Sequence, residues 1–93
     1  MSFHVIRSVD QDDLDAIQKA AERFCKRHDI KVYSDAPILY WIDEWAENET
    51  YCMNKSERTY RTYLWEKCMC RALKVSYVKG INIAYGNVGF WKE

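Results

Sequence analysis

The sequence predicts an α+β fold: a single small domain, ordered β-α-α-α-β-β, in which a short three-stranded antiparallel sheet packs on helices. Three observations carry this expectation. Apolar residues recur at three- and four-residue spacing in three separate stretches, which is the helical period. A weakly alternating run opens the chain, and two further strand-like runs flanking Gly86-Asn87 close it. An isolated hairpin is marginal in water, so pairing with the first strand and packing on the helices completes it.

Phe3 to Arg7 contains Val5 and Ile6 and reads as a strand, after which Ser8 or Asp10 offers a helix N-cap. The first helix places Leu14, Ile17, Ala21, Phe24, Cys25 and His28 on one side, with charged residues opposite. Asp10, Asp12 and Asp13 at its start and Lys26 and Arg27 at its end suit the helix dipole. Ile30 to Tyr33 is a connector or short strand. Ser34 or Asp35 then caps a second helix running to about Glu47, with Pro37 in its first turn. Its apolar arc holds Ile38, Leu39, Trp41, Ile42, Trp45 and Ala46.

Asn54 followed by Glu57 has the outline of a capping box and opens a third helix, expected through Leu73 and as far as Val78, with Gly80 to end it. Leu64, Trp65, Cys68, Ala72 and Val75 form its best arc. Tyr63, Met69, Cys70 and Tyr77 fall elsewhere, the pattern of a central helix with contacts on several sides. Ile81 to Tyr85 and Val88 to Trp91 then form a hairpin about a two-residue type II′ turn at Gly86-Asn87.

Ninety-three residues with no repeat, linker or low-complexity tract imply one domain over 1–93. Hydrophobic residues make up 48% of the chain, which places it outside the disordered class. The opening residues lack the basic start and long apolar stretch of a secretory signal, and no run approaches a membrane span. The expectation is therefore a cytoplasmic protein with no membrane partner, its four cysteines reduced. Net charge is zero, yet residues 1–50 carry six Lys/Arg against eleven Asp/Glu and residues 51–93 carry eight against three. These halves either attract each other within the fold or present a charged surface to a partner.

No catalytic constellation is recognisable. A Cys₃His zinc site drawn from Cys25, His28, Cys68 and Cys70 fails on spacing, because positions two apart on a helix point about 200° away from each other. Buried, unligated thiols are the reading adopted, with no metal and no cofactor. A Cys-His nucleophile pair has no specified meeting point, and His28 suits packing near a helix end. Adjacent carboxylates such as Asp12 and Asp13 read as solvated surface.

The opening His4-Val5-Ile6-Arg7-Ser8-Val9-Asp10-Gln11-Asp12-Asp13-Leu14-Asp15-Ala16-Ile17 resembles the first strand and helix of the GNAT acetyltransferases. That family grips the coenzyme A pyrophosphate with a glycine-rich loop leading into a helix. Gly80, Gly86 and Gly89 are the only glycines here and none makes that loop, so the resemblance implies no acetyl transfer. A small enzyme remnant is the reading it leaves.

What the sequence favours is action by contact: a small protein–protein interaction module rather than an enzyme. A compact accessory or inhibitor protein, such as phages and mobile elements direct at host machinery, fits this class. Tyr40, Tyr51, Tyr60, Tyr63 and Trp91 are candidate exposed anchors, and Arg58, Arg61, Lys67 and Arg71 candidate polar contacts. Asp43, Glu44 and Glu47 form an acidic patch suited to a basic partner. The alternative is nucleic-acid binding through the basic, aromatic segment 55–79, where Lys67, Arg71 and Lys74 share a face and Arg58 and Arg61 point to the other side.

Overall fold

A computed structural model of the chain describes residues 1–48, 50 and 54–93. The order is β1 (Ser2–Ser8), α1 (Gln11–Arg27), α2 (Ile38–Glu47), α3 (Lys55–Leu73), β2 (Ile81–Ala84) and β3 (Asn87–Lys92). This is the predicted β-α-α-α-β-β arrangement. The sheet is antiparallel with order β1-β3-β2, so the C-terminal hairpin pairs with the first strand through β3. No helix among the described residues is long and apolar enough to cross a membrane.

One face of the sheet turns its apolar side chains to the helices. Val88 and Ile81 are buried there with Ile17, Phe24, Ile42, Trp65, Met69 and Leu73, and Ile83 packs against them. The other face carries no helix and holds a ring cluster of Phe3, Trp91 and Tyr85, with centroids 4.9 Å apart for Phe3–Trp91 and 5.9 Å for Phe3–Tyr85. Gly89 sits beneath Phe3. A Cβ there would run into the His4 carbonyl oxygen and the Phe3 ring, so only glycine lets strand and ring approach so closely.

The weak alternation of β1 has a structural cause. Val5 pairs with Gly89 and Arg7 with Val88, leaving Ile6 as the extra residue of a bulge. Arg7 thereby comes round to the helical side, while Ile6 stays exposed. There the Arg7 guanidinium donates to both carboxylate oxygens of Asp13, at 2.6 and 2.9 Å, and to the Leu73 carbonyl at 2.7 Å. Asp13 is buried and also accepts from the Asp10 backbone N–H, while Asp10 accepts from the Asp13 N–H. That reciprocal pair closes the capping box of α1.

The same contact accounts for the end of α3. The helix stops at Leu73 rather than continuing towards Val78, and Lys74 adopts the left-handed conformation at φ 59° as its C-cap. The Val75 N–H returns to the Cys70 carbonyl, and Arg7 satisfies the otherwise orphaned carbonyl of Leu73. Gly80 does not end the helix. Its N–H donates to the Glu66 carboxylate and its carbonyl accepts from Trp91.

Other expectations shift by a residue or a face. Pro37 is the N-cap of α2 rather than a first-turn residue, and no side chain caps that end. Ile30 to Tyr33 lies outside any strand. Leu14 and Leu39 stay outside the core, because α1 is buried along Asp13, Ile17, Ala20, Ala21, Phe24 and Cys25, and α2 at Ile42 and Ala46. On α3 the buried line is Trp65, Met69, Cys70 and Leu73, while Leu64, Cys68, Ala72 and Val75 are only partly covered. The helix touches α1, α2 and β2, the central position expected of it.

The hairpin turn is centred on Tyr85-Gly86, one residue earlier than predicted, with Ala84 opposite Asn87. Both central residues have positive φ, 55° and 74°, which marks type I′ rather than II′. A bulky aromatic residue is strained at such a φ.

Two predictions follow from this geometry. Arg7, assisted by the Asp10 backbone N–H, holds the Asp13 carboxyl down at about 2 from its ordinary 3.8. A lowered carboxylate stabilises the fold above the unfolded value and loses that contribution as pH falls through the folded one. Thermal melts should therefore show wild type more stable than Asp13→Asn at neutral pH, with the gap closing between pH 3.8 and about 2. Tyr85→Asn, which tolerates positive φ, should raise stability by about 1 kcal/mol in urea unfolding.

Candidate functional site

The helix α3, which carries Arg58, Tyr60, Arg61, Tyr63, Lys67 and Arg71 of the predicted contact residues, is started by Asn54, whose side chain accepts from the Glu57 N–H at 2.9 Å. Its buried line leaves three other sides, and each has a different character.

On the side facing α2, Arg61 is committed to the fold. Its guanidinium donates to the Trp45 carbonyl at 2.8 Å and to Glu57 at 2.8 Å, and lies over the Trp45 ring 4.5 Å from its centroid. Behind it the Phe24 ring meets Trp45, Trp65 and His28 at centroid distances of 5.5, 5.2 and 4.3 Å. Burial, then the charges of Arg27 and Arg61, push the His28 imidazole below its ordinary pKa. The ring thus packs as a neutral aromatic. Arg61 thus ties α2 to α3.

On the second side an open groove of about 910 Å³ runs along α3. Tyr60, Tyr63 and Tyr77 supply rings, Lys55, Arg58 and Lys79 cations, and Glu47 and Glu66 carboxylates. Tyr63 and Tyr77 meet edge to face at 5.3 Å, and the Lys67 ammonium lies 5.9 Å from the Tyr63 centroid. Glu66 anchors one wall, accepting from the Gly80 N–H at 2.8 Å. Burial pushes its carboxyl up, and the Gly80 bond and Lys79 oppose that shift. Tyr60 remains 61% exposed and Tyr77 46%.

The third side is a groove of about 460 Å³ between α1 and α3. Arg23 and Arg27 stand on one wall and Lys67 and Arg71 on the other, over Ala20, Phe24, Leu64 and Ala72. No carboxylate lines it among the described residues. Burial pushes the Cys68 thiol up despite Arg27, Arg71 and Arg23, whose charges act on it in the opposite sense. Cys25 and Cys70 are raised by burial as well, and all three are free. These are protonated thiols, not activated nucleophiles. Among the described residues no three metal-ligating side chains converge.

The predicted residues are thus sorted into distinct surroundings. Glu47, Arg58, Tyr60 and Tyr63 come together at the tyrosine groove, and Lys67 and Arg71 at the basic one. Lys74 follows the helix as its cap and lines neither. The acidic patch is divided: Glu44 accepts from the Asn48 side chain, and only Glu47 reaches the groove. Loss of solvation, then the Glu47 and Glu44 charges, push the Asp43 carboxyl up. Tyr40 is exposed with its ring edge-on to Trp41. Trp91 packs on the helix-free sheet face against Phe3. Tyr51 lies outside the described residues.

Lys55, Tyr77 and Lys79 fall within the basic segment 55–79 of the sequence, but a helix carried on to Val78 does not bring Tyr77 and Lys79 back beside Tyr63 and Glu66. In sequence Arg23 belongs to the charged side of the first helix and Arg27 to its basic end, and neither is among the candidate contacts. A signal for them existed: Lys19, Arg23 and Arg27 repeat every four residues, and like charges at that spacing repel.

Comparison with protein-family models, with curated proteins and with solved structures found no match to this chain.

The basic groove makes its own prediction. Arg23 has Lys19 and Arg27 one turn away and the Lys67 and Arg71 wall opposite. Arg23→Gln should therefore stabilise the domain at low ionic strength by about 0.3–0.5 kcal/mol in urea unfolding, and added salt should remove the gain.

Proposed function

We propose that this chain acts by contact, as a protein-binding module whose docking surface is the tyrosine-lined groove of α3 and the ridge beside it. One observation carries the reading. Tyr60, Tyr63 and Tyr77 stay at the surface around a single open groove, although Phe24, Trp65, Ile42 and Leu73 already fill the core. Tyrosine buries a large rigid ring at small entropic cost while its hydroxyl bonds to the partner, which makes it a common hot-spot residue. The mixed rim of Lys55, Arg58, Lys79, Glu47 and Glu66 suits a protein surface of both signs. A compact accessory or inhibitor protein that covers a host protein's surface is the form such a module takes.

A second reading has its own support. The solvent-facing ridge of α3 sets two rings, Tyr60 and Tyr63, beside two cations, Lys67 and Arg71, the side-chain types that single-stranded nucleic-acid binders combine.

One experiment tests both. Tagged wild-type protein and a Tyr60→Ala/Tyr63→Ala variant of unchanged circular dichroism are used to recover partners from native host extract, with and without nuclease. A nuclease-resistant, stoichiometric protein that the variant loses supports the module. Recovery of nucleic acid, with proteins lost on digestion, transfers the ridge to the second reading. A protein retained equally by the variant overturns the groove as its site.

A further inference from the structure

The basic groove between α1 and α3 stands apart from the tyrosine groove and is built differently. Arg23, Arg27, Lys67 and Arg71 are all exposed, and its floor is apolar, with Ala20 and Phe24 buried and Leu64 and Ala72 half-buried. Lys67 approaches the Tyr63 ring, and none of the three arginines enters an ion pair among the described residues. Cys68 lines the same groove, and the charges of Arg27, Arg71 and Arg23 all act on its thiol.

Such a cluster costs the folded chain stability through like-charge repulsion on α1, on α3 and across the groove. An anion seated between the walls would add attractions to all four cations that offset these repulsions. Arginine's planar fork is suited to oxyanions, since it donates two parallel bonds to one carboxylate. The apolar floor selects further. A volume of about 460 Å³ lined by Ala20, Leu64 and Ala72 has room for an aliphatic or aromatic side chain, which a bare inorganic anion does not supply. A nucleic-acid strand would match the walls, but the floor offers its bases no free ring: Phe24 is 1% exposed and His28 packs at a tilt against both Phe24 and Trp45.

We infer that this groove is a second binding site, which takes an acidic segment of a partner protein, its carboxylates on Arg23, Arg27, Lys67 and Arg71 and an apolar side chain on the floor between them. The site shares Lys67 and Arg71 with the ridge beside the tyrosine groove, and its test leaves Tyr60, Tyr63 and Tyr77 unchanged.

The probe is a short fluorescein-labelled peptide alternating glutamate and leucine, followed by fluorescence anisotropy at low ionic strength. Two comparison probes are the same peptide with glutamine for glutamate and a labelled oligothymidylate of equal length. Wild type should bind the acidic peptide saturably, and the glutamine peptide roughly tenfold more weakly. Arg27→Glu/Arg71→Glu should lose the acidic peptide. Lys26→Glu/Lys31→Glu, which makes the same change in net charge outside the groove, should keep it. Should the charge reversals disturb folding, judged by circular dichroism, Arg27→Gln/Arg71→Gln replaces them, with a loss of roughly tenfold expected.

Equal loss in the two charge-reversal variants would overturn the inference, because attraction would then follow net charge and not the groove. Tighter binding of the oligothymidylate than of the acidic peptide would overturn it in favour of nucleic acid. Concentration-dependent self-association in sedimentation, abolished by Arg27→Gln/Arg71→Gln, would overturn it in favour of a second copy of this chain presenting its own acidic residues.

Discussion

Arg7 joins the three parts of this fold at one guanidinium. Its contact with Asp13 fastens β1 to the start of α1, and its bond to the Leu73 carbonyl fastens both to the end of α3. The geometry depends on the extra residue in β1. Without the bulge at Ile6, the side chain opposite Val88 would be Ile6, and Arg7 would point to the sheet's helix-free face. Asp13 would then be a buried carboxylate without its cation, and α3 would end on an unsatisfied carbonyl. A charged pair in a small domain is a modest stabiliser by itself. Here its weight comes from position, because it sets where two helices begin and end against the sheet.

With that end of α3 secured, the helix serves as the axis of the molecule. Its buried line of Trp65, Met69 and Leu73 fills the interior, and Arg61 closes the side towards α2 by lying on Trp45. What remains of its circumference faces solvent as a ridge between two grooves. The tyrosine groove depends on α3 stopping at Leu73: only as a loop does the 74–80 connection return to place Tyr77 beside Tyr63 and Gly80 on Glu66. The basic groove depends on the packing of α1 against α3, which brings two arginines from the acidic half of the sequence beside a lysine and an arginine from the basic half. The charge imbalance between halves is therefore not simply cancelled by folding. Part of it is gathered into a patch.

Tyr85 is the clearest case of local preference yielding to something else. A type I′ turn favours asparagine or glycine at its first central position, and the chain places an 81% exposed tyrosine there at positive φ. Its ring meets Phe3 and Trp91 across the open sheet face, and those contacts offset part of the strain.

The sequence by itself determined the elements and their order. Helical period, caps at Asp10 and Asn54, and two strand-like runs around a glycine turn are local properties, and local properties survive into any fold the chain adopts. It also identified Glu47, Arg58, Tyr60, Tyr63, Lys67 and Arg71 as surface groups without saying which belong together. Only the tertiary structure decided that. Helix faces are relative to what they pack on, so Leu14, Leu39 and Arg61 exchanged the roles their spacing suggested once Ile17, Ile42 and Trp45 had found partners. The register of β1, the end of α3 and the meeting of Arg23 and Arg27 with Lys67 and Arg71 are set by contacts between residues far apart in the chain. No window of neighbouring residues contains that information.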